Sequence, residues 1–161
     1  MKILIQTIPH SEQRYDTVGD WWIDPQGTWQ VRVSELPEKS ALFPEKYPFL
    51  VAIHELVEMA LCLAAGISQR AVDAFDTAWA PHDDIEEPGE DPRAPYYEQH
   101  QMAMGIERTL AAALYVEWFE YERAINALSE PRAFGPGMTP HAHDCQCYVC
   151  TTGGYPAQET T

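Results

Sequence analysis

One apolar stretch, FLVAIHELVEMALCLAAG from Phe49 to Gly66, most constrains what this chain can fold into. Pro48 suits the first turn of a helix and Gly66 suits its end, so we predict a helix over residues 48–65. Apolar side chains surround this helix almost completely, which is typical of a buried helix. Its strongly polar residues are His54, Glu55 and Glu58. Buried ionised groups are costly unless they are paired or bind metal. This favours a metal or catalytic site over a polar cleft or a buried structural pair.

The spacing of these polar residues places two of them on one helix face. Residues four apart lie one turn apart, so His54 and Glu58 point the same way and Glu55 lies about 100° around the helix. In the pattern His-Glu-x-x-His, the two His bind zinc and the Glu acts as general base. Here Glu58 takes the second position, and a carboxylate oxygen binds Zn²⁺ and harder metals alike. We therefore predict metal ligation by His54 and Glu58, with Glu55 as the catalytic residue.

This HExxE helix, preceded by a strand-rich segment, resembles the zincin class of metalloproteases over roughly residues 20–66. The resemblance implies a reduced zincin-like fold and a metal-dependent hydrolase acting on a peptide or small molecule. In it Glu55 would take a proton from a metal-bound water. Zinc is the expected cofactor, although His with carboxylates also suits Mn²⁺ and Fe²⁺.

A catalytic metal site of this kind needs a third protein ligand and one open position. His100, which follows an acidic, proline-rich loop, is the first choice for this ligand. Glu107 lies seven residues further on, two turns along the same face. It is expected to act as a hydrogen-bond partner of His100 or as an extra ligand. Tyr96 or Tyr97 could donate a hydrogen bond to a developing oxyanion.

Asp73 and Asp76 are alternative ligands, because they follow the apolar helix on a second predicted helix. One branch of the zincins, the aspzincins, uses such a downstream Asp. Taken with Glu55 and Glu58, the two Asp residues also resemble the paired acidic helices of the all-α NTP pyrophosphohydrolases. That resemblance implies a Mg²⁺ or Mn²⁺ enzyme which does not need His54. A third alternative is a non-enzymatic accessory protein that a metal ion stabilises.

The carboxyl-terminal part of the chain, HAHDCQCYVC, carries a second group of metal-binding residue types. Four residues there have the identity and spacing of a structural zinc site: His143, Cys145, Cys147 and Cys150. Glycine and proline are frequent around them. We therefore predict a metal-binding domain over residues 1–130 and a Pro/Gly-rich extension over residues 131–161.

The remaining elements predict an α+β fold, in which a small antiparallel sheet or hairpin packs on three helices. Alternating residues on either side of an Asp-Pro-Gln-Gly turn predict a hairpin over residues 20–33. After the apolar helix, a second helix is predicted from Ser68, as its cap, to Trp79. A third is predicted over residues 96–128.

The chain is strongly acidic, with a net charge of −15. This disfavours nucleic acids and anionic membranes as partners. No secretory signal is recognised at the amino terminus, and the clustered cysteines suit a metal better than extracellular disulfides. We expect a cytoplasmic protein, and the composition leaves its oligomeric state open.

Overall fold

The computed structural model describes residues 1–36, 43–80, 85 and 87–128, and it confirms the α+β class. Its sheet comprises β1 (Ile3–Ile8), β2 (Gly19–Ile23) and β3 (Trp29–Ser34), in the spatial order β1-β3-β2. β2 and β3 form the predicted antiparallel hairpin, whereas β1 lies parallel to β3. The sheet is therefore mixed and not antiparallel, because the chain reverses between β1 and β2 and again within the hairpin.

Side-chain and backbone geometry in the hairpin turn set the position of β2. Asp24 Oδ1 accepts hydrogen bonds from the backbone N–H groups of Gln26 and Thr28, at 2.9 and 2.8 Å. Gly27 adopts a φ of 76°, a value that glycine tolerates because it has no Cβ. The resulting register pairs Trp21 with Val31.

The predicted apolar helix is confirmed as α1 (Lys46–Ala64), which packs against β2, β3 and α3 (Tyr97–Ala113). It ends at the predicted glycine: Gly66 has a φ of 74°, and the Ile67 N–H donates to the Cys62 carbonyl at 2.9 Å. Within the described residues, α1 alone is long and apolar enough to cross a membrane. However, it supplies much of the buried core and carries the ionisable side chains of Lys46, His54, Glu55 and Glu58, so a membrane span is not indicated.

The second predicted helix is confirmed as α2 (Gln69–Ala78). Ser68 is its N-cap and accepts a hydrogen bond from the Ala71 N–H at 3.3 Å. The predicted single helix over residues 96–128 is wrong: two helices, α3 and α4 (Trp118–Asn126), occupy this range. Tyr115 separates them in a left-handed conformation with a φ of 55°. The Val116 N–H closes the end of α3 by donating to the Ala111 carbonyl at 2.9 Å.

The core lies where the sheet, α1 and α3 meet. Its largest fully buried side chains are Tyr121, Leu50, Met59, Val31, Val33, Asp91, Cys62 and Ser34. Most of these are apolar. A separate buried polar cluster lies between α1 and α3, and it contains the residues that the motif predicts.

Candidate metal centre

His54, Glu58 and His100 converge at the contact between α1 and α3. All three are at least nine-tenths buried: their exposed fractions are 8%, 5% and 5%. His54 Nε2 lies 3.1 Å from His100 Nδ1 and 3.5 Å from Glu58 Oε2, and His100 Nδ1 lies 2.9 Å from Glu58 Oε2. The structure therefore brings together the three residues that the sequence predicts as ligands, and this group could hold a metal ion.

The triangle of donor atoms has the dimensions of one face of a tetrahedral metal site. A tetrahedral zinc ion with bonds of about 2.0–2.1 Å holds its ligand atoms roughly 3.3–3.4 Å apart. The observed edges are 3.1, 2.9 and 3.5 Å. A point about 2.0–2.1 Å from all three atoms lies roughly 0.9 Å out of their plane, as a pyramidal site requires. These distances are compatible with one cation bound by all three atoms.

Glu107 contacts His54, and so the predicted pairing of Glu107 with His100 is not the one observed. His54 Nδ1 donates to Glu107 Oε2 at 2.9 Å, and the hydroxyl of Tyr121 on α4 donates to Glu107 Oε1. This fixes the tautomer in which His54 Nε2 is free to bind a metal. Burial lowers the pKa of His54, but hydrogen bonds to Glu107 and Glu58 raise it well above its usual value.

A second hydrogen bond orients Glu58 from the opposite side. The indole N–H of Trp21, on β2, donates to Glu58 Oε1 at 2.9 Å and leaves Oε2 facing the two imidazoles. Burial raises the pKa of Glu58, yet its contacts with His100 and His54 lower it to about 2. Glu58 is therefore an ionised carboxylate at neutral pH, which is the form that ligates metal.

His100 is held against the backbone of a short 3-10 turn, Pro88–Glu90. A Cβ placed on Gly89 would lie 2.4 Å from His100 Nδ1 and 2.6 Å from its Cγ. Such distances are too short for any side chain, so glycine alone allows this approach. The buried Nε2 of His100 has no hydrogen-bond partner among the described residues.

Glu55 lies beside the triangle and is not part of it. Burial, and then repulsion from Glu58, raise its pKa well above the usual value. No hydrogen bond to it is present in the described part of the chain. It contacts β2 at Gly19, where a Cβ would lie 2.2 Å from Glu55 Oε1. A buried carboxyl of raised pKa next to a candidate metal site has the properties of a general base or acid.

The alternative ligands Asp73 and Asp76 line the same cavity but have other partners. Asp73 Oδ1 lies 3.6 Å from Arg14 Nη2, and the guanidinium also pairs with Asp20 at 2.6 Å. Asp76 Oδ1 accepts a hydrogen bond of 2.6 Å from the hydroxyl of Tyr96. Tyr96 is thus engaged by Asp76, and Tyr97 is not among the cavity-lining residues.

Asp76 should make the stability of the metal-free protein depend on pH. Burial raises the pKa of Asp76 to about 8, although the Tyr96 hydrogen bond opposes this. The native state therefore holds a proton that the unfolded chain releases near pH 4, so the free energy of unfolding falls as pH rises towards 8. As pH rises, the wild type should lose on the order of a few kcal/mol of unfolding free energy through Asp76, and we expect Asp76→Asn to remove this loss. Urea unfolding between pH 5 and 8 in a chelator measures it.

The control for this experiment is Glu98→Gln, which removes an exposed carboxylate from α3. In this variant the free energy of unfolding should change with pH as steeply as in the wild type. Parallel slopes for wild type and Asp76→Asn would contradict the prediction.

A cavity of about 330 Å³ opens beside the three donor atoms. It is bounded by α1, α2, β2, the 3-10 turn, α3 and α4, and aromatic side chains line parts of its wall. Its volume is at the lower end of the range of small-molecule sites. The predicted tail site, His143, Cys145, Cys147 and Cys150, lies outside the described residues, as does His141.

Sequence reasoning missed several residues that shape the site: Trp21, Tyr121, Gly19, Gly89 and Arg14. Trp21 and Tyr121 are distant in sequence from the ligands they orient, and each also fits an apolar core. Gly89 stands in a Pro-Gly dipeptide, a pattern that indicates a turn and nothing more. The spacing of a motif within one helix predicts ligands on that helix. It contains no information about side chains that other elements bring to the site.

No protein-family model matches this chain, and neither a curated protein nor a solved structure matches it. The zincin resemblance accordingly rests on the α1 motif, and the arguments for function rest on the geometry of the site.

Proposed function

We propose that this protein is a divalent-metal-dependent hydrolase, with His54, Glu58 and His100 as the metal ligands and zinc as the expected ion. The observation that carries the proposal is the triangle of donor atoms, with edges of 3.1, 2.9 and 3.5 Å. Support comes from the hydrogen bonds of Glu107 and Trp21, which orient ligands as partners in metal sites commonly do. A zincin-like peptide hydrolysis is the reaction class we favour.

Each residue has a distinct role in this proposal. A bound divalent ion supplies Lewis acidity and lowers the pKa of water. Glu55 accepts a proton from the attacking water and delivers it to the leaving group. Glu107 keeps His54 in the tautomer whose Nε2 faces the ion, and Trp21 keeps Glu58 Oε2 directed inward. The surrounding cavity admits a peptide or small molecule. We also propose a cytoplasmic location, since the clustered cysteines suit a metal better than the disulfides of an extracellular protein.

Glu55→Gln separates metal binding from catalysis. The variant should retain its metal, because Glu55 is not one of the three converging ligands. It should lose hydrolysis by roughly 10²–10⁴-fold, the usual contribution of a general acid–base group. Elemental analysis gives the metal content, and mass spectrometry of a mixed peptide library gives the cleavage rate. Glu98→Gln is the matched control. An unchanged rate in Glu55→Gln would refute the catalytic role.

Two alternatives have different requirements. The pyrophosphohydrolase alternative needs Asp73 and Asp76 as Mg²⁺ ligands together with Glu55 and Glu58. Asp73 contacts Arg14, and Asp76 accepts a hydrogen bond from Tyr96. Because both side chains have these other partners, the geometry supports the His54–Glu58–His100 site better than the four-carboxylate Mg²⁺ site. The non-enzymatic alternative predicts a metal-loaded protein that cleaves no member of the library.

A further inference from the structure

Strand β1 forms one edge of the sheet, and it exposes apolar side chains on both of its faces. Three consecutive residues are exposed in it: Ile3 at 37%, Leu4 at 38% and Ile5 at 46%. Successive side chains of a strand point to opposite faces, so each face of β1 presents apolar surface to solvent. Monomeric proteins usually protect an edge strand with charged residues, prolines or bulges. Between Ile3 and Ile8 the strand has none of these.

The exposed surface of β1 continues the face of the sheet that forms the core. Trp21 donates a hydrogen bond to Glu58 on α1, so the face that carries Trp21 is the one that packs on α1. The strand register places Val31 beside Trp21 on this face, and Ile5 beside Val31. Val31 is 1% exposed, whereas Ile5 is 46% exposed. The core-side face of the sheet therefore extends to β1, beyond the part that the helices bury.

The backbone of β1 has hydrogen-bonding groups free on its outer edge. The Lys2 and Ile8 carbonyls accept hydrogen bonds from β3 amides, at 2.9 and 2.8 Å. Backbone groups of successive residues point to opposite edges of a strand, so the even-numbered residues face β3 and the odd-numbered residues face away from it. The outer edge therefore presents the N–H and C=O groups of Ile3, Ile5 and Thr7, and no described residue bonds to them.

The distribution of charge favours a second copy of this chain as the occupant of that edge. The net charge is −15, so two copies repel each other unless they meet through a surface without carboxylates. Before Glu12 the sequence contains no acidic residue, and Lys2 is its only Lys or Arg. Lys2 precedes β1, whereas the exposed Glu12 and Glu35 lie beyond its other end, at Ile8. Two antiparallel copies of β1 bring these opposite charges together, and two parallel copies would bring like charges together.

We propose that two copies of the protein pair through antiparallel β1 strands, about a two-fold axis at Ile5. In this register Ile5 lies opposite Ile5 of the second copy, and Ile3 lies opposite Thr7. These are the residues whose backbone groups are free, and each opposed pair exchanges two N–H···O bonds. The two three-stranded sheets join into one, and both copies use the same patch, as a two-fold interface requires. This interface does not depend on the proposed metal centre.

Sedimentation velocity of the full chain, in a reducing agent that prevents disulfide formation, tests the proposal. The mass should shift from that of one chain to twice that value as protein concentration rises. Ile5→Pro should raise the dissociation constant at least about tenfold, because it removes both N–H donors of the central pair. Its fold should persist, since an edge strand accepts proline where the N–H faces outward. Ile5→Val is the matched control, which keeps the N–H and should dimerise as the wild type does.

A second variant tests the interface if Ile5→Pro does not fold. Ile5→Lys keeps every backbone donor, and lysine is a common residue on the exposed edges of monomeric sheets. It places two like charges directly opposite each other at the two-fold axis, which destabilises a strand pair. It also makes the whole chain less acidic, so general repulsion between copies falls. A monomeric Ile5→Lys beside a dimeric Ile5→Val would support the proposal.

Amide hydrogen exchange identifies the edge that is used. The amides of Ile3, Ile5 and Thr7 should exchange more slowly as protein concentration rises, whereas the β1 amides that face β3 should be protected at every concentration. A monomer at all concentrations would overturn the proposal, and protected outer-edge amides in that monomer would assign the edge to another segment of the chain. A dimer that persists in both Ile5→Pro and Ile5→Lys would also overturn it, because the copies would then meet elsewhere.

Discussion

His54→Ala should abolish metal binding and destabilise the fold. The substitution removes one corner of the donor triangle, so we expect metal affinity to fall by more than about 100-fold, beyond the usual effect of losing an orienting partner. It also leaves Glu107 buried without its imidazole partner and removes one of the two imidazoles that contact Glu58. Breaking a buried charge pair in this way costs roughly 3–5 kcal/mol. Elemental analysis after dialysis and urea unfolding measure the two effects.

Two further variants make this result decisive. His54→Gln keeps a donor for Glu107 and should fold more stably than His54→Ala, yet it should also fail to bind the metal. Asp73→Asn should keep full metal occupancy, because Asp73 lies with Arg14 and outside the triangle. Full occupancy in both His54 variants would refute the metal centre, and loss of metal in Asp73→Asn would favour the pyrophosphohydrolase alternative.

Gly89→Ala should disrupt the candidate site although it replaces none of the three ligand residues. The added Cβ would lie 2.4–2.7 Å from three atoms of the His100 ring. Contacts this short are not tolerated, so either His100 or the Pro88–Glu90 turn must move. We expect metal affinity to fall by about 10–100-fold, the range seen when the support of a ligand is lost. Competition with a chromogenic chelator gives the affinity.

Gly105→Ala is the matched control for this substitution. It makes the same chemical change on α3, the helix that carries His100, at a position with open space around it. It should leave metal affinity unchanged and slightly stabilise the helix, since alanine is the better helix former. Equal affinities for Gly89→Ala and Gly105→Ala would show that the turn does not position His100.

The local pattern predicted the elements that depend on short-range chemistry. The periodicity of α1, its glycine end and the serine cap of α2 are all properties of a few neighbouring residues. The prediction that His54 and Glu58 share one face of α1 followed from helical spacing. His100 was predicted from its residue type and its place after an acidic loop, and the packing of α3 on α1 brings it to the other two.

Features that depend on long-range contacts were not accessible in this way. β1 joins the sheet parallel to β3, and no local signal distinguishes this from an antiparallel pairing. The break at Tyr115 lacks the glycine or proline that usually marks the end of a helix, so the apolar stripe was extended through it. Helical spacing predicted His100, on the same helix, as the partner of Glu107. The partner observed is His54 on α1, which only a tertiary contact brings close.

The link from Tyr121 through Glu107 to His54 has a consequence for the carboxyl-terminal helix. Tyr121 is the buried residue of α4, so the hydrogen bond to Glu107 forms only when α4 is docked. If the proposed metal centre is correct, metal loading and α4 docking are thermodynamically linked, and each favours the other by the same free energy. Hydrogen exchange of the α4 amides, a purely conformational signal, then reports on occupancy of a site to which α4 contributes no ligand.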